Sequence, residues 1–480
     1  MAQQSWQERR AIGRAARERT PRGAHEAIGD IDRDPIELLR SSSKGRVEAL
    51  VPLRYGRMLV SPFTFYRGSA ILQAHDLAAT RDSGIAIQIC GDCHLSNFGG
   101  FATPERALIF DLNDFDETAH GPWEWDVKRL VASFTIAGRQ LGHGDLAADD
   151  FAFLAARSYQ MHMREYAEMS VLDLWYERIT FDRMYAAVQS DDARRRIKRG
   201  IERASRRTHE TMLPKVADRT GGTWRIRDAP PAVFHVRGKS TLIDKNDEWM
   251  KLKGSREEIF AALMRKYVVT LTPERARLLS QFTLQDVAFK VVGVGSVGTR
   301  CLVLLLTDAH DQPLFLQMKE ASTSVVARYA KHAKDKDNDK DTHDPEHDGH
   351  RVVHGQRLMQ AATDPFLGWA TGPLGRSLYI RQLRDMKISA EFETFTDDVF
   401  REYAAMCGWA LARAHAKSGG RAPEISGYLG NSDRMAEVLV RYGRNYAEQV
   451  EKDYEVFRAA CRDGRLEARS DADMSADFAP

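Results

Sequence analysis

Cysteine is scarce in this chain, with five in 480 residues, at positions 90, 93, 301, 407 and 461. So sparse a set cannot staple a small secreted scaffold, and it predicts reduced thiols in a cytoplasmic protein. Cys90 and Cys93 make one Cys-x-x-Cys, but no second pair completes a zinc site and a different motif runs through the same residues. Long apolar runs are missing as well: none approaches the roughly 20 residues that a membrane-spanning helix needs. The arginines near the N-terminus (Arg9, Arg10, Arg14, Arg17, Arg19, Arg22) lead into no apolar segment, so they do not read as a secretory signal. Charge of one sign is lacking too. The chain has 70 Lys and Arg against 68 Asp and Glu, a net +2. Nothing global therefore points to nucleic acid or a membrane as partner. No internal repeat at solenoid periods is visible.

What is present suffices for a large core. Hydrophobic residues make up 43% of the chain and charged ones 29%, which suits one large two-lobed unit or two domains. Residues 1–45 read as an arginine-rich arm or frayed helix, and 466–480 as an acidic tail. Within 46–230 two short apolar runs, IAIQIC at 85–90 and ALIF at 107–110, read as strands, and 122 to about 215 has helical spacing. The block 231–390 is β-rich, with the runs VAFKVVGV, RCLVLLLT, PLFLQMKE and RSLYIRQL; a helix is predicted over 351–363. The hydrophilic insert at 331–350 cannot bury a core and reads as a mobile loop. Its histidines (His343, His347, His350 and the neighbouring His354) are mixed with aspartates, which argues against a metal site. Residues 391–465 return to helix, so the fold class is α+β.

Chemistry-bearing residues gather in four places. GDCHLSNFGG leaves the first strand with Asp92 and Asn97 five positions apart. A phosphoryl transferase needs such a carboxylate to accept the proton of the attacking hydroxyl, and an amide oxygen nearby for the metal. The segment is equally compatible with an ordinary turn capped by Asx side chains. ALIFDLNDFDE ends the second strand in acid: Asp111 is aimed from a rigid element at a metal, with Asp114 and Asp116 as rivals. KVVGVGSVGTRCLVLLL carries Gly293, Gly295 and Gly298 between strand-like runs. A strand, not a helix, follows, which excludes the dinucleotide fingerprint and leaves a hairpin that covers ATP phosphates, or a plain hairpin. Lys319 lies one strand on, where a lysine can reach the α- and β-phosphates. The next helix, HRVVHGQRLMQAA, offers it no glutamate; Gln356 or His354 would have to substitute. Glu320 points to the other face of the strand. Arg54, Arg57 and Arg67 suit either a phosphate pocket or surface ion pairs, and Arg381, Arg384, Asp385 and Lys387 either a ligand contact or the lobe interface. His415, in ALARAHAKSG, reads as a buried, hydrogen-bonded histidine.

These residues carry a resemblance. GDCHLSNFG is similar to the His-Gly-Asp-x-His-x-x-Asn loop of aminoglycoside and choline phosphotransferases, with Cys90 in place of the first histidine. ALIFDLNDFDE looks like their Ile-Asp strand end, and GPWEWDVKRL like the segment whose aspartate, here Asp126, pins the loop to the next helix. Over residues 50–455 the chain resembles the bacterial family called domain of unknown function 2252, in words such as RYGRMLVSPFTFYRG, RLMQAATDPFLGW and YIRQLRDMK. The kinase resemblance implies a two-lobed protein-kinase-like fold, circularly permuted, with a β-rich nucleotide lobe and a larger helical lobe. It implies Asp92, His94 and Asn97 in the catalytic loop and Mg²⁺ or Mn²⁺ on Asn97, Asp111 and Asp114. ATP would then lie on Gly293, Gly295, Ser296, Gly298, Lys319 and Gln382. The expected activity is transfer of the γ-phosphate to a hydroxyl of a small acceptor. Three alternatives remain open: AMP transfer to a protein hydroxyl, nucleotide sensing without chemistry and, least in keeping with the near-neutral charge, nucleic-acid binding.

Overall fold

The computed structural model describes residues 4–330, 347–383 and 386–477. The first half opens with helix α1 (Trp6–Arg19), capped by a Ser5–Glu8 capping box. Far from fraying, α1 lies along the short helix Ala422–Leu429 near the other end of the chain. It buries only Gly13 and Ala16, so its apolar stripe is too thin for periodicity to register. Helix α2 (Pro62–Gly68) follows, and then two pairs of short strands. Strand β1 (Ala86–Ile89) pairs antiparallel with β4 (Ala119–Pro122), and between them β2 (Phe98–Ala102) and β3 (Leu108–Leu112) form a hairpin. Helix α3 (Trp123–Gln140), buried over most of its length, and α4 (Asp145–Glu168) complete this part.

The middle of the chain builds an antiparallel sheet. After the small hairpin β5 (Ala217–Thr220) and β6 (Thr223–Ile226) come β7 (Val233–Phe234), β8 (Thr283–Lys290), β9 (Cys301–Thr307), β10 (Pro313–Glu320), β11 (Gly368–Thr371) and β12 (Ser377–Gln382). Their order across the sheet is β11-β12-β10-β9-β8-β7. Helix α5 (Asp348–Met359) runs between β10 and β11 in sequence and packs on β11 and β12. Alternation along β9 sends Leu302, Leu304 and Leu306 to one face and Cys301, Val303 and Leu305 to the other. Two helices absent from the β-rich reading of 231–390, Arg256–Val268 and Pro273–Leu279, cover the first face. A two-residue strand, β13 (Ile388–Ser389), joins the sheet of β2 and β3.

The chain then returns to the helical part. Helix α6 (Asp397–Gly419) packs along α4 and against β1 and β3, and α7 (Arg434–Arg462) packs on α3 and α4. The helical part is thus built from both halves of the chain and is the larger, and 53% of the described residues are helical. A mixed α+β fold with a β-rich middle is what the sequence predicted. Arg384, Asp385, His343 and most of the 331–350 insert lie outside the described residues. No described helix is long and apolar enough to cross a membrane.

Candidate active site

The loop after β1 is held from behind by α3. Asp126, in the first turn of α3, accepts hydrogen bonds from the backbone N–H of Cys90 (2.7 Å) and of Gly91 (2.8 Å). Nε2 of the fully buried His415, on α6, lies 3.0 Å from the same carboxylate, and its Nδ1 lies 2.9 Å from the hydroxyl of Tyr159. Gly91 takes φ +86°, and a Cβ there would stand 2.1 Å from the Glu117 carbonyl oxygen, so only glycine fits. With the backbone pinned, Asp92 is set by Arg129, one turn after Asp126, whose Nε donates to Asp92 Oδ1 at 2.5 Å. Arg129 is itself fixed by the Gln73 side chain and the Tyr66 carbonyl.

His94 and Asn97 sit behind this surface. His94 is buried against Phe63, with Nε2 3.8 Å from Asp92 Oδ2. Burial, then Arg67 and Arg129, push its pKa well below the usual imidazole range, so it is a neutral neighbour of Asp92. Neither His94 nor Asn97, both expected in the catalytic loop, lines the cavity. The Asn97 amide nitrogen donates to the backbone oxygens of Asp92 (3.2 Å) and Asp114 (3.1 Å), tying the two loops together.

Asp111 is not part of the site. Its carboxylate is wholly buried, accepts from Arg413 of α6 at 2.6 Å and from the backbone N–H of Ala361 at 2.8 Å, and anchors β3 to the helices. Strand β3 ends inside the molecule, not at its surface, so its terminal acid faces the helices. The acids that reach the site are its rivals. Asp92, Asp114, Asp116 and Glu117 line one cavity of about 80 Å³ together with Arg46, Arg54 and Arg67. Burial first, and then Asp116, raise the pKa of Asp114, while burial raises that of Glu117. Four carboxylates thus border one small space, although among the described residues no three of them bring oxygens within 4.8 Å of one another.

Asp116 collects the residues that the sequence had scattered. Lys319, nearly buried on β10, makes an ion pair with it. Ser296 of the glycine loop donates to Asp116 Oδ2 at 3.0 Å and accepts from Lys319 Nζ at 2.9 Å. The Tyr379 hydroxyl, next to Lys319 across the β10–β12 pair, donates to Asp116 Oδ1 at 2.7 Å. Burial would raise the Asp116 pKa, but Lys319 and these hydrogen bonds prevail and hold it down at about 2. The same cluster drives the Lys319 pKa up against the effect of burial. The lysine's partner is therefore neither Gln356 nor His354 of α5; Glu320 is spent on Arg300 and Arg376.

The glycine loop, 291–300, docks on the N-terminal segments. Gly298 accepts from the backbone N–H of Val47 at 2.8 Å, and Gly293 from Arg57, which also pairs with Asp471. Gly295 and Ser296 line the small cavity, whereas Gly298 faces Arg46 outside it. On its other side the loop borders a polar cleft of about 550 Å³ that includes Gly293, Asn113, Gln317, Arg381, Gln382 and Lys387. Asn113 lines the cleft and the next residue, Asp114, the cavity. Buried Arg54 donates through its terminal nitrogens to Ser42, Ser43 and Gly68, and the Nε of both Arg54 and Arg67, which line the cavity, has no hydrogen-bond partner among the described residues.

Arg129, Tyr379 and Arg46 complete the site, and no motif of the sequence assigns them a role. The first two carried a signal: Arg129 shares a helix face with Asp126, and Tyr379 lies on the strand predicted to lead to the hinge. The five cysteines are unpaired. Cys90, Cys93 and Asp126 come within 4.8 Å of one another, yet Asp126 is already committed to two backbone N–H groups and His415. Burial pushes the Cys93 thiol well up, and the Cys90 thiol is raised to about 11. A sequence model of the bacterial family described as "uncharacterized protein conserved in bacteria (DUF2252)" matches residues 46–460. No curated protein and no solved structure matches the chain.

Proposed function

The chain belongs to this bacterial DUF2252 family, and we propose that it is a phosphotransferase that uses ATP and a divalent cation to phosphorylate an acceptor hydroxyl. One observation carries the reading. Lys319 from the sheet, Ser296 from the glycine loop and Asp116, 203 positions before the lysine, meet in one contact beside a cavity that also takes in Asp92. Element order supports it as well. From the glycine loop onward come β9, β10 with the lysine on the third strand, α5, β11, β12 and α6, the order a kinase would show, with the catalytic loop supplied from the N-terminal half. Such a permutation is tolerable because chain ends of a compact domain lie close together, and here α1 packs on a helix near the C-terminus.

In this reading the nucleoside occupies the polar cleft by Gly293 and Gln382, and the phosphates pass Asn113 into the small cavity. The acceptor oxygen attacks the γ-phosphorus, its proton goes to Asp92, and the bond to the β–γ bridging oxygen breaks, so that ADP leaves with the electron pair. Arg129 orients Asp92, and Lys319, Arg67 and the loop N–H groups stabilise phosphate charge in place. A cation on Asn97 and Asp114 would neutralise the β- and γ-oxygens. The lysine's unusual partner keeps AMP transfer as the second reading; the mass added to the product, phosphate or AMP, separates the two.

Calorimetric titration with ATP, with and without Mg²⁺, tests the proposal. Wild type binds only with Mg²⁺, and Lys319→Ala and Asp114→Ala each weaken binding ~10- to 100-fold, the value of one or two charge-assisted hydrogen bonds. Wild type that takes up no nucleotide at millimolar concentration refutes the reading.

A further inference from the structure

A second cavity, of about 530 Å³, lies on the opposite face of the six-stranded sheet from Lys319 and shares no lining residue with the candidate site. Its floor is Leu302, Leu304, Met318 and Leu378, from β9, β10 and β12, and its walls include Trp224 of β6 and Trp249. That size and apolar lining suit a small-molecule site. The indole N–H groups of both tryptophans have no hydrogen-bond partner among the described residues. They are donors left over in a largely apolar wall.

Charge at the mouth is selective. Arg225 and Arg237, both exposed, border the opening. The one acid in the lining, Asp286, is taken by His235, whose Nε2 lies 2.9 Å away, and by the backbone N–H of Ile226 at 2.8 Å. An apolar chamber with cations at its rim and unsatisfied donors in its wall fits a molecule with a hydrocarbon body and an anionic head. We propose that this cavity binds a single-chain amphipathic anion of the fatty-carboxylate class.

The place of the cavity gives such a ligand a route to the Asp116 cluster. Met318 and Leu378 on its floor each precede, on the same strand, a residue on the other face: Lys319 and Tyr379, which hold Asp116. The binding itself is independent of what the Asp116 site does, so it is measured without nucleotide and survives failure of the phosphotransferase reading.

Dodecanoate, kept below the concentration at which it forms micelles, is titrated into the full chain while tryptophan fluorescence and binding heat are followed. A saturable change at one molecule per chain is expected. Replacing both rim arginines (Arg225→Glu with Arg237→Glu) weakens binding about tenfold or more, the worth of one interaction of ~1.4 kcal/mol. Val287→Phe, at a half-buried lining position, fills the chamber and has a similar effect. Dodecanol, which has the same chain without the charge, binds about tenfold more weakly. Absence of a saturable signal, or wild-type affinity in both variants, overturns the proposal. Equal affinity for dodecanol removes the anionic head from it. An unchanged melting temperature of the exposed-arginine variant shows that loss of binding there is not loss of fold.

Discussion

Single residues set the pH response of this molecule as well as its site. Glu124, in the first turn of α3, is almost wholly buried, and burial raises its pKa from near 4.5 to about 7 although Ser83 N–H donates to it at 2.8 Å. The folded state therefore holds a proton that the unfolded state releases between these values. The stabilisation is complete below about pH 4.5 and is lost as pH rises through about 7, by up to ~3 kcal/mol. Lys128, one turn on, is lowered to about 7 by burial, and its contribution changes only above that pH. Buried His25 and His94, neutral in the fold, act in the opposite sense over the same range, so the test is a difference. The urea midpoint of wild type relative to Glu124→Gln, whose amide oxygen keeps the Ser83 bond, should fall from pH 5 to 7; a constant difference would assign the response elsewhere. Asp126 makes the second residue-scale case. Asp126→Ala leaves the N–H groups of Cys90 and Gly91 buried without acceptors, at about 1–3 kcal/mol each, and should lower the urea midpoint accordingly. The pinning role of Asp126 was legible through the resemblance of GPWEWDVKRL to the corresponding phosphotransferase segment. The division of labour among Asp111, Asp114 and Asp116 was not. Three acids within six positions look alike until the hairpin β2–β3 turns one inward to Arg413 and the other two toward the cavity.

Elements were legible where their burial is periodic and illegible where contact replaces hydrophobicity. Strands β1, β3, β8, β9, β10 and β12 fall on the apolar runs of the sequence, since a strand buried on one or both faces must be written in branched and aromatic residues. Helix α1 is the opposite case. It is rich in arginine and buries glycine and alanine, so its text resembles a solvated arm. Its packing depends on backbone approach: a Cβ on Gly13 would stand 1.9 Å from the Glu424 carbonyl oxygen, and one on Gly427 2.2 Å from that of Arg10. The sign of one substitution separates the two descriptions. In a free arm Gly13→Ala would raise helix propensity by up to about 1 kcal/mol and be neutral or stabilising. Against a packed neighbour the same methyl forces the helices apart, at about 1–3 kcal/mol. A lowered melting temperature is the expected result, and a raised one would return α1 to solvent. The helices Arg256–Val268 and Pro273–Leu279 went unread for another reason. They lie in the β-rich block and owe their place to the sheet face they cover.

At the scale of the whole molecule, the candidate site is assembled by parts far apart in sequence, and this governs how Asp111 should be tested. Helix α6 carries Arg413 to Asp111 and His415 to Asp126, so the C-terminal half braces the loop that the N-terminal half supplies. These cross-braces, made between buried side chains 302 and 289 positions apart, left no local pattern in the sequence. Removing one member of a buried ion pair leaves the other uncompensated at about 3–5 kcal/mol, whereas replacing both by apolar residues of similar volume is often close to neutral. Asp111→Ala alone would therefore lose nucleotide binding through instability and imitate the loss of a metal ligand. The double replacement Asp111→Leu with Arg413→Met separates the causes. It should unfold in one transition at a urea midpoint close to wild type, while Asp111→Ala shifts far below it. It should also keep Mg²⁺-dependent ATP binding within about threefold of wild type, a difference of well under 1 kcal/mol. A double variant that folds as stably as wild type yet binds ATP without regard to Mg²⁺ would restore Asp111 to the metal and take the role from Asp114.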